Sequence, residues 1–383
     1  MKKKCLVSSL AKYLMSSLVM LGEMFDETII FVQLMSYYNH LYIKEVDIND
    51  RCVTDLSEYF YCCESLESIN ASKLDTSQVE NMYSCFNGCK SLKSLDINDW
   101  DVSNVNNMNS CFSECTELRD LDLSHWNTSK VENLTSCFES CSSLRSLDIA
   151  NWDVSNVVYL YSTFYYCTSL ESLDVSNWNL SKIKNIEFCF NDCKSLRSLD
   201  LSRWDVSNVQ FISNCFNGCE SLCDLRLSSW NTSNVMDMCS CFKYCHSLCT
   251  LDISNWNVSK VESLNSCFHG CTELRDLELT SWNTSRLLEI NRCFNKCSSL
   301  RTLDLSSWNV SGVMDMCKCF GNCTSLIYLN IENWVINDNC QYSEIFVNCN
   351  SLSLIKCRED TFDKLTRELN GLWSYENGFA IKG

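Results

Sequence analysis

Cysteine is the residue in this chain with the greatest potential for chemistry, at 30 of 383 residues. Most cysteines fall in two rows that recur every 26 residues, one directly before a phenylalanine and one three residues after it. Within a repeat the two cysteines have the spacing i and i+4, as in Cys137 and Cys141. Such thiols could bind a metal, form disulfides, or pack as small apolar groups. The first row is Cys85, Cys111, Cys137, Cys189, Cys215, Cys241, Cys267, Cys293 and Cys319, and the second is Cys63, Cys89, Cys115, Cys141, Cys167, Cys193, Cys219, Cys245, Cys271, Cys297, Cys323 and Cys349.

We favour buried free thiols and keep the other two uses as alternatives. Side chains at i and i+4 of a regular helix seldom reach the geometry that a disulfide needs. Repeated Cys-x-x-x-Cys is not the usual zinc spacing, and the chain has only four histidines. We therefore predict no metal site and no cofactor. The best candidate for a bridge or an adventitious metal is the densest cluster, which comprises Cys215, Cys219, Cys223, Cys239, Cys241, Cys245, His246 and Cys249.

A second row of chemically capable residues is acidic. It lies on the solvent side of a predicted strand, and a mostly basic row runs three residues earlier, as in Arg119 and Arg145. Such a striped face could recognise a polar protein or a glycan, or collect divalent cations, and the alternative is a merely solvated face. The possible ligand-facing positions are Asp122, Asp148, Asp174, Asp200, Arg226, Asp252, Glu278, Asp304 and Tyr328.

Features of an enzyme or a nucleic-acid-binding protein are missing from the sequence. There is no phosphate-binding glycine loop and no histidine–carboxylate constellation, and any serine or aspartate of the repeat is one of about ten copies. The net charge of −17 argues against a nucleic-acid partner, which would require a basic face. We therefore predict a non-enzymatic protein that binds a protein or a glycan.

The elements that position these rows repeat with a fixed period. Tryptophan recurs every 26 residues from Trp100 to Trp334, and phenylalanine does so from Phe60 to Phe346. A constant period of this length indicates a solenoid. The alternating end of Leu118-x-x-Leu121-x-Leu123 predicts a short strand.

The other half of each repeat has helical spacing, with Val105, Met108, Phe112 and Cys115 on one face and Ser103 as a candidate N-cap. We predict an α/β repeat fold. It is a single leucine-rich-repeat solenoid of about 12 rungs, with one parallel strand ladder and short helical segments on the opposite side.

The repeat resembles the BspA-like leucine-rich repeat surface proteins. The shared run is Leu-Asp-Leu/Ile-Ser-x-Trp-Asn/Asp-Val/Thr-Ser-Asn/Lys-Val, followed by Phe-x-x-Cys-x-Ser-Leu. The resemblance implies a binding role, often in surface attachment or adhesion, and carries no catalytic residues. Two departures stand out: cysteine mostly replaces methionine before the phenylalanine, with Thr163 and Ile345 breaking that row, and a convincing export signal is lacking.

The ends of the chain differ from the repeat and define three regions. Residues 1–42 predict an amphipathic helical cap, with a signal-like segment as the alternative, residues 43–357 form the solenoid, and residues 358–383 form a C-terminal cap. No uninterrupted apolar stretch predicts a transmembrane helix. Family resemblance favours the cell surface or secretion, whereas unpaired cysteines favour the cytoplasm. The oligomeric state stays open.

Overall fold

The computed structural model describes residues 44–47 and 52–383, so the predicted N-terminal cap lies outside the described residues. These residues form a solenoid of about 11 turns with a parallel strand ladder. This confirms the predicted leucine-rich-repeat solenoid. The strands of the ladder are β1 (Glu45–Asp47), β2 (Ser68–Asn70), β3 (Ser94–Asp96), β4 (Asp120–Asp122), β5 (Ser146–Asp148), β6 (Ser172–Leu173), β7 (Ser198–Asp200), β8 (Asp224–Arg226), β9 (Thr302–Asp304), β10 (Tyr328–Asn330) and β11 (Leu354–Lys356).

Neighbouring strands pair in parallel with a register of 26 residues. Leu121 lies opposite Leu147, and Asp122 lies opposite Asp148. This pairing divides the ladder into four sheets, β1–β3, β4–β6, β7–β8 and β9–β11, and an isolated bridge between Thr250 and Asp276 lies between β8 and β9. In strands such as β4 and β5 the middle residue is buried and its two neighbours face outward, because side chains alternate along a strand. Equivalent residues of successive rungs therefore form columns.

A second parallel ladder lies half a rung further along the chain. It is built from single-residue bridges such as Asn107 to Asn133 and Asn133 to Tyr159. Half of a 26-residue circuit separates it from the strands, so the two ladders lie on opposite sides of the same core. We call the two faces the strand face and the turn face.

The predicted helical segments are wrong: the described part of the turn face is a run of turns. Two residues per rung adopt left-handed backbone, as in Ser136 (φ 52°) and Ser140 (φ 59°), which a right-handed helix cannot contain. The N–H of Cys137 donates to the carbonyl of Leu134 at 3.1 Å, whereas the N–H of Phe138 donates to Thr163 of the next rung at 2.9 Å. Carbonyl groups of the next rung thus accept hydrogen bonds that carbonyl groups within a helix would otherwise accept.

The predicted serine caps are also corrected. The N–H of Ser129 donates to the side-chain oxygen of Asn127 at 3.2 Å, and that of Ser103 donates to Asp101 at 2.9 Å. The residue two positions earlier is therefore the capping residue, in an Asx turn that reverses the chain at this corner. Serine supplies the backbone group that is capped.

Aromatic columns fill the core between the two ladders. The phenylalanines from Phe60 to Phe346 stack with ring centroids 5.2–5.8 Å apart and planes within 11° of each other. Stacked tryptophan pairs such as Trp126 and Trp152 lie at 5.6–6.3 Å. Most indole N–H groups donate across rungs, as Trp204 does to the carbonyl of Val175 at 2.9 Å. Indole groups of one rung thus satisfy backbone carbonyls of the neighbouring rung.

The chain ends in a helix and a hairpin. Helix α1 (Glu359–Leu365) is followed by a 3₁₀ turn (Thr366–Glu368). Strands β12 (Trp373–Glu376) and β13 (Phe379–Lys382) form the hairpin, and β13 pairs antiparallel with β11. Among the described residues no helix has the length and apolar character needed to cross a bilayer.

Candidate binding surfaces

The strand ladder brings the predicted acidic row together as one outward column. Asp122, Asp148, Asp174 and Asp252 are exposed, and Asp200 and Asp304 are half-buried. Glu278 is exposed as well. Tyr328 belongs to a different column, because it pairs with Thr302, whereas Asn330 takes the place opposite Asp304. The ladder thus assembles every predicted position on one face, with Tyr328 one column aside.

Most carboxylates of this column accept hydrogen bonds from the turn that follows them. Asp122 accepts hydrogen bonds from the N–H of Ser124 at 3.0 Å and from its hydroxyl at 2.7 Å. These two bonds lower the pKa of Asp122, since they favour the charged form. The column therefore presents ordered carboxylates at neutral pH, with one oxygen of Asp122 engaged by Ser124.

Arg226 interrupts the acidic column and neutralises its neighbours. Its guanidinium lies 3.2 Å from Asp224 on its own strand and 3.6 Å from Asp200 on the preceding one. Hydrogen bonds from Ser202 and the nearby charge of Arg226 lower the pKa of Asp200. The strand face therefore changes from acidic to mixed charge at this rung.

Two recesses open on the strand face. One, of about 320 Å³, is lined by Ser146, Asp148, Ser172, Asp174 and Ser198, together with the edges of two leucines. The other, of about 520 Å³, is lined by Arg275, Asp276, Ser299, Arg301 and Ser325. The first offers carboxylates and hydroxyls, and the second offers two arginines from adjacent rungs.

The described cysteines are unbridged, and most are buried. In the row that follows phenylalanine, the thiol donates to the phenylalanine carbonyl of the preceding rung, as Cys141 does to Phe112 at 3.0 Å. Burial raises the pKa of Cys141 to about 12, so its thiol is neutral. Thr163, which breaks the other row, donates its hydroxyl to Leu134 and Leu160 at 3.0 and 2.8 Å. The row that follows phenylalanine thus supplies thiol donors to the core, and Thr163 supplies a hydroxyl donor in the other row.

The dense cysteine cluster does not converge on one point. Cys223 is exposed and its thiol lies 3.4 Å from the carbonyl of Arg197, whereas Cys249 is half-buried and lies 3.6 Å from the carbonyl of Ser247. Within the described residues no group of three or more histidine, cysteine or acidic side chains is arranged to hold a metal ion. The inward cysteines of the cluster continue the buried rows.

The turn face carries a group of aromatic side chains that the sequence analysis missed. Tyr161 and Phe188 meet edge-on at 5.5 Å, Tyr165 and Phe188 at 6.2 Å, and Tyr165 and Tyr166 at 5.9 Å. Tyr159 precedes Tyr161 by two residues and is 59% exposed. We call these five residues the aromatic patch. Its signal in the sequence is the run from Tyr159 to Tyr166, which holds four tyrosines, whereas other rungs carry at most a single aromatic residue at those four positions, as in Tyr83, Phe211 and Tyr244.

Comparison with known proteins identifies the repeat. The sequence model of the family described as "Mycoplasma protein of unknown function, DUF285" matches residues 38–145, 119–223, 188–277 and 249–356. The chain belongs to this family. The matched segments cover nearly the whole solenoid, and the family is the BspA-like repeat family that the motif predicts. None of the curated proteins compared with this family member matches it.

Solved structures similar to this family member include three proteins of bacteria. An internalin (inlF) from Listeria monocytogenes is 17% identical, with 86% of this chain and 83% of the other covered and a TM-score of 0.29. A leucine-rich cell surface protein from Faecalibacterium prausnitzii is 15% identical over 88% and 85%, with a TM-score of 0.34. A leucine-rich repeat protein from Eubacterium ventriosum is 14% identical over 82% and 81%, with a TM-score of 0.37.

Proposed function

We propose that this protein is a non-enzymatic binding protein that uses its strand face to hold a polar protein or glycan, in adhesion or host interaction. The observation that carries the proposal is the pair of recesses on the strand face, each lined by charged and hydroxyl side chains from several rungs. A ligand that lies along the ladder would meet the same groups at each rung, spaced about 4.8 Å apart. This arrangement suits an extended polar chain better than a compact small molecule.

The two recesses would recognise different groups. The recess with Asp148 and Asp174 would accept hydrogen bonds from hydroxyl, amide or ammonium groups. The recess with Arg275 and Arg301 would donate to carboxylate or sulfate groups, since guanidinium groups match planar anions. A ligand that spans both would carry its anionic groups toward the C-terminal rungs.

The test is a screen of the full chain against an array of glycans and purified extracellular matrix proteins. Each binder is then measured with Asp148→Asn/Asp174→Asn and with Arg275→Ser/Arg301→Ser. The matched control is Glu80→Gln, an exposed acid on the turn face. Loss of binding in either strand-face variant, with the control unchanged, supports the proposal. Ligands that bind all variants equally would overturn the strand face as the binding surface.

A second candidate is an intracellular scaffold with a reduced core. It is favoured by the thiol donors, because a disulfide at Cys141 would remove the hydrogen bond to Phe112. Thiol counting on the protein from its natural source, denatured with and without reductant, separates the two. Thiols close to the full complement of 30 cysteines would favour the scaffold, and extensive bridging would favour export.

A further inference from the structure

The aromatic patch lies where one part of the chain departs from the repeat. The positions of Tyr159 and Tyr166 are occupied by Ser263 and Ser140 in other rungs, which form the same turns. The backbone therefore needs no aromatic ring at either place. Tyr159 and Tyr166 are 59% and 44% exposed, so burial in the core does not account for them either.

The exposed rings belong to tyrosine, a residue type that is common in binding sites. Tyrosine is enriched among residues that dominate binding energies, because it offers a large rigid surface and a hydroxyl at low entropic cost. The edge-on contacts of Phe188 with Tyr161 and Tyr165 fix the angle between the rings. The patch is thus an ordered surface that spans two neighbouring rungs.

Carboxylates surround the patch. Glu139 lies one rung before Tyr165 in the same column, and Asp192 lies one rung after Tyr166 in its column. Burial, Asp192 and Glu139 all raise the pKa of Tyr165, which shows that both carboxylates lie within electrostatic range of its hydroxyl. Glu187, one residue before Phe188, is half-buried. Among the described residues neither Glu139 nor Glu187 forms an ion pair.

Cations near the patch are partly committed elsewhere. Lys194 lies 3.0 Å from Glu220 and 4.0 Å from Asp192, so its charge is divided between two acids. Lys184, in the rung after Tyr159, adds a second cation, but the three acids at the patch outnumber the two lysines. The local balance of charge is therefore negative, as is that of the whole chain. Negative charge beside exposed tyrosine faces suits a guanidinium or an ammonium group, which rings and carboxylates attract together.

We propose that the aromatic patch binds an arginine- or lysine-containing peptide segment of a partner protein. The cationic side chains would stack on Tyr159 and Tyr166 and pair with Glu139 and Glu187. The patch lies on the turn face, so this partner would bind independently of a ligand on the strand face. The protein would then connect two partners across its core.

The experiment is calorimetric titration of the full chain with a short oligoarginine peptide, with oligoglutamate of equal length as the reference. We compare the unmodified chain with Tyr159→Ser/Tyr166→Ser and with Glu139→Gln. Serine occupies each of the two positions in one other rung, at Ser263 and Ser140, so the double variant keeps the fold, which circular dichroism verifies. Glu80→Gln/Glu262→Gln removes two exposed charges of the turn face that lie several rungs from the patch, and controls for bulk attraction to an acidic protein.

We expect oligoarginine to bind, the tyrosine variant to weaken binding roughly tenfold, and Glu139→Gln to weaken it several-fold. The Glu80→Gln/Glu262→Gln variant should bind as the unmodified chain does. Equal affinity for the tyrosine variant, or an equal loss in the Glu80→Gln/Glu262→Gln variant, would overturn the proposal. So would tyrosine-dependent binding of a neutral maltooligosaccharide without binding of oligoarginine.

Discussion

The thiol of Cys141 donates a hydrogen bond to the carbonyl oxygen of Phe112, 29 residues earlier and 3.0 Å away. The same offset separates the indole N–H of Trp204 from the carbonyl of Val175. The thiol and the indole N–H thus both donate hydrogen bonds to backbone carbonyls of the preceding rung. The thiol proton is part of the core, and removing it by oxidation or ionisation would break this contact.

We expect the free energy of unfolding to fall steeply as the pH rises above about 9. The pKa of Cys141 and of Cys271 is raised to about 12 by burial, whereas a thiol in the unfolded chain titrates at about 8.5. Between about pH 8.5 and pH 12 the unfolded state binds fewer protons than the folded state. Each such thiol then lowers the free energy of unfolding by about 1.4 kcal/mol per pH unit.

Urea unfolding at pH 7.5 and pH 10 measures this effect, and two variants control it. Cys223→Ser changes an exposed thiol and should leave the pH dependence unchanged. Cys141→Ala should lower the stability at pH 7.5 by about 1–2 kcal/mol and reduce the slope above pH 9. Equal stability at the two pH values would contradict the neutral buried thiols.

Thiol labelling of the folded protein should single out the exposed cysteines. Iodoacetamide is expected to modify Cys52 and Cys223 rapidly, because both are exposed, and to spare Cys141 and Cys271 until the chain unfolds. Peptide mass mapping over time gives the order. Labelling of Cys141 as fast as Cys223 would show that the stack opens under native conditions.

The indole hydrogen bond can be isolated with a matched pair of tryptophans. Trp204→Phe removes the donor to Val175, whereas the indole nitrogen of Trp308 is buried without a partner. Both changes shrink a stacked ring in the core. Trp204→Phe should therefore cost about 1 kcal/mol more than Trp308→Phe in chemical denaturation. Equal losses would mean that the bond at Trp204 contributes nothing net.

Gly270 tests how tightly successive rungs approach on the turn face. Its φ is +79°, and a Cβ there would lie 2.6 Å from the ring of Tyr244 on the preceding rung. Gly378 in the hairpin has a similar φ of +85° with open space around it. Gly270→Ala should thus destabilise more than Gly378→Ala, which carries only the backbone strain of about 1–2 kcal/mol. Thermal unfolding of both variants makes the comparison.

The sequence predicted the rungs and the columns because the period of 26 determines which residues stack. Once Leu121 was assigned to a buried strand position, Asp122 and Asp148 had to align on the outer face, as they do. The turns were not predictable in this way. A helix and a run of turns both direct about every third or fourth residue inward, and the pattern from Val131 to Cys141 fits either one.

The aromatic patch escaped prediction for a different reason. A tyrosine in a sequence does not show whether its ring is buried, and Tyr165 and Phe188 come together only once the rung boundaries are placed in space. The sequence analysis likewise assigned the cap to serine, whereas Asn127 caps the corner at Ser129. Capping partners two residues apart are too common in sequences to be assigned without the backbone.

The stacked tryptophans also determine how the protein interacts with light. Indole rings held nearly parallel at about 6 Å, as in Trp178 and Trp204, exchange excitation energy before they emit. Ultraviolet light absorbed by one ring of a stacked pair would then be emitted by its neighbour, so tryptophan fluorescence reports on the stack rather than on any single residue. The solenoid therefore contains its own spectroscopic probe of whether neighbouring rungs remain stacked.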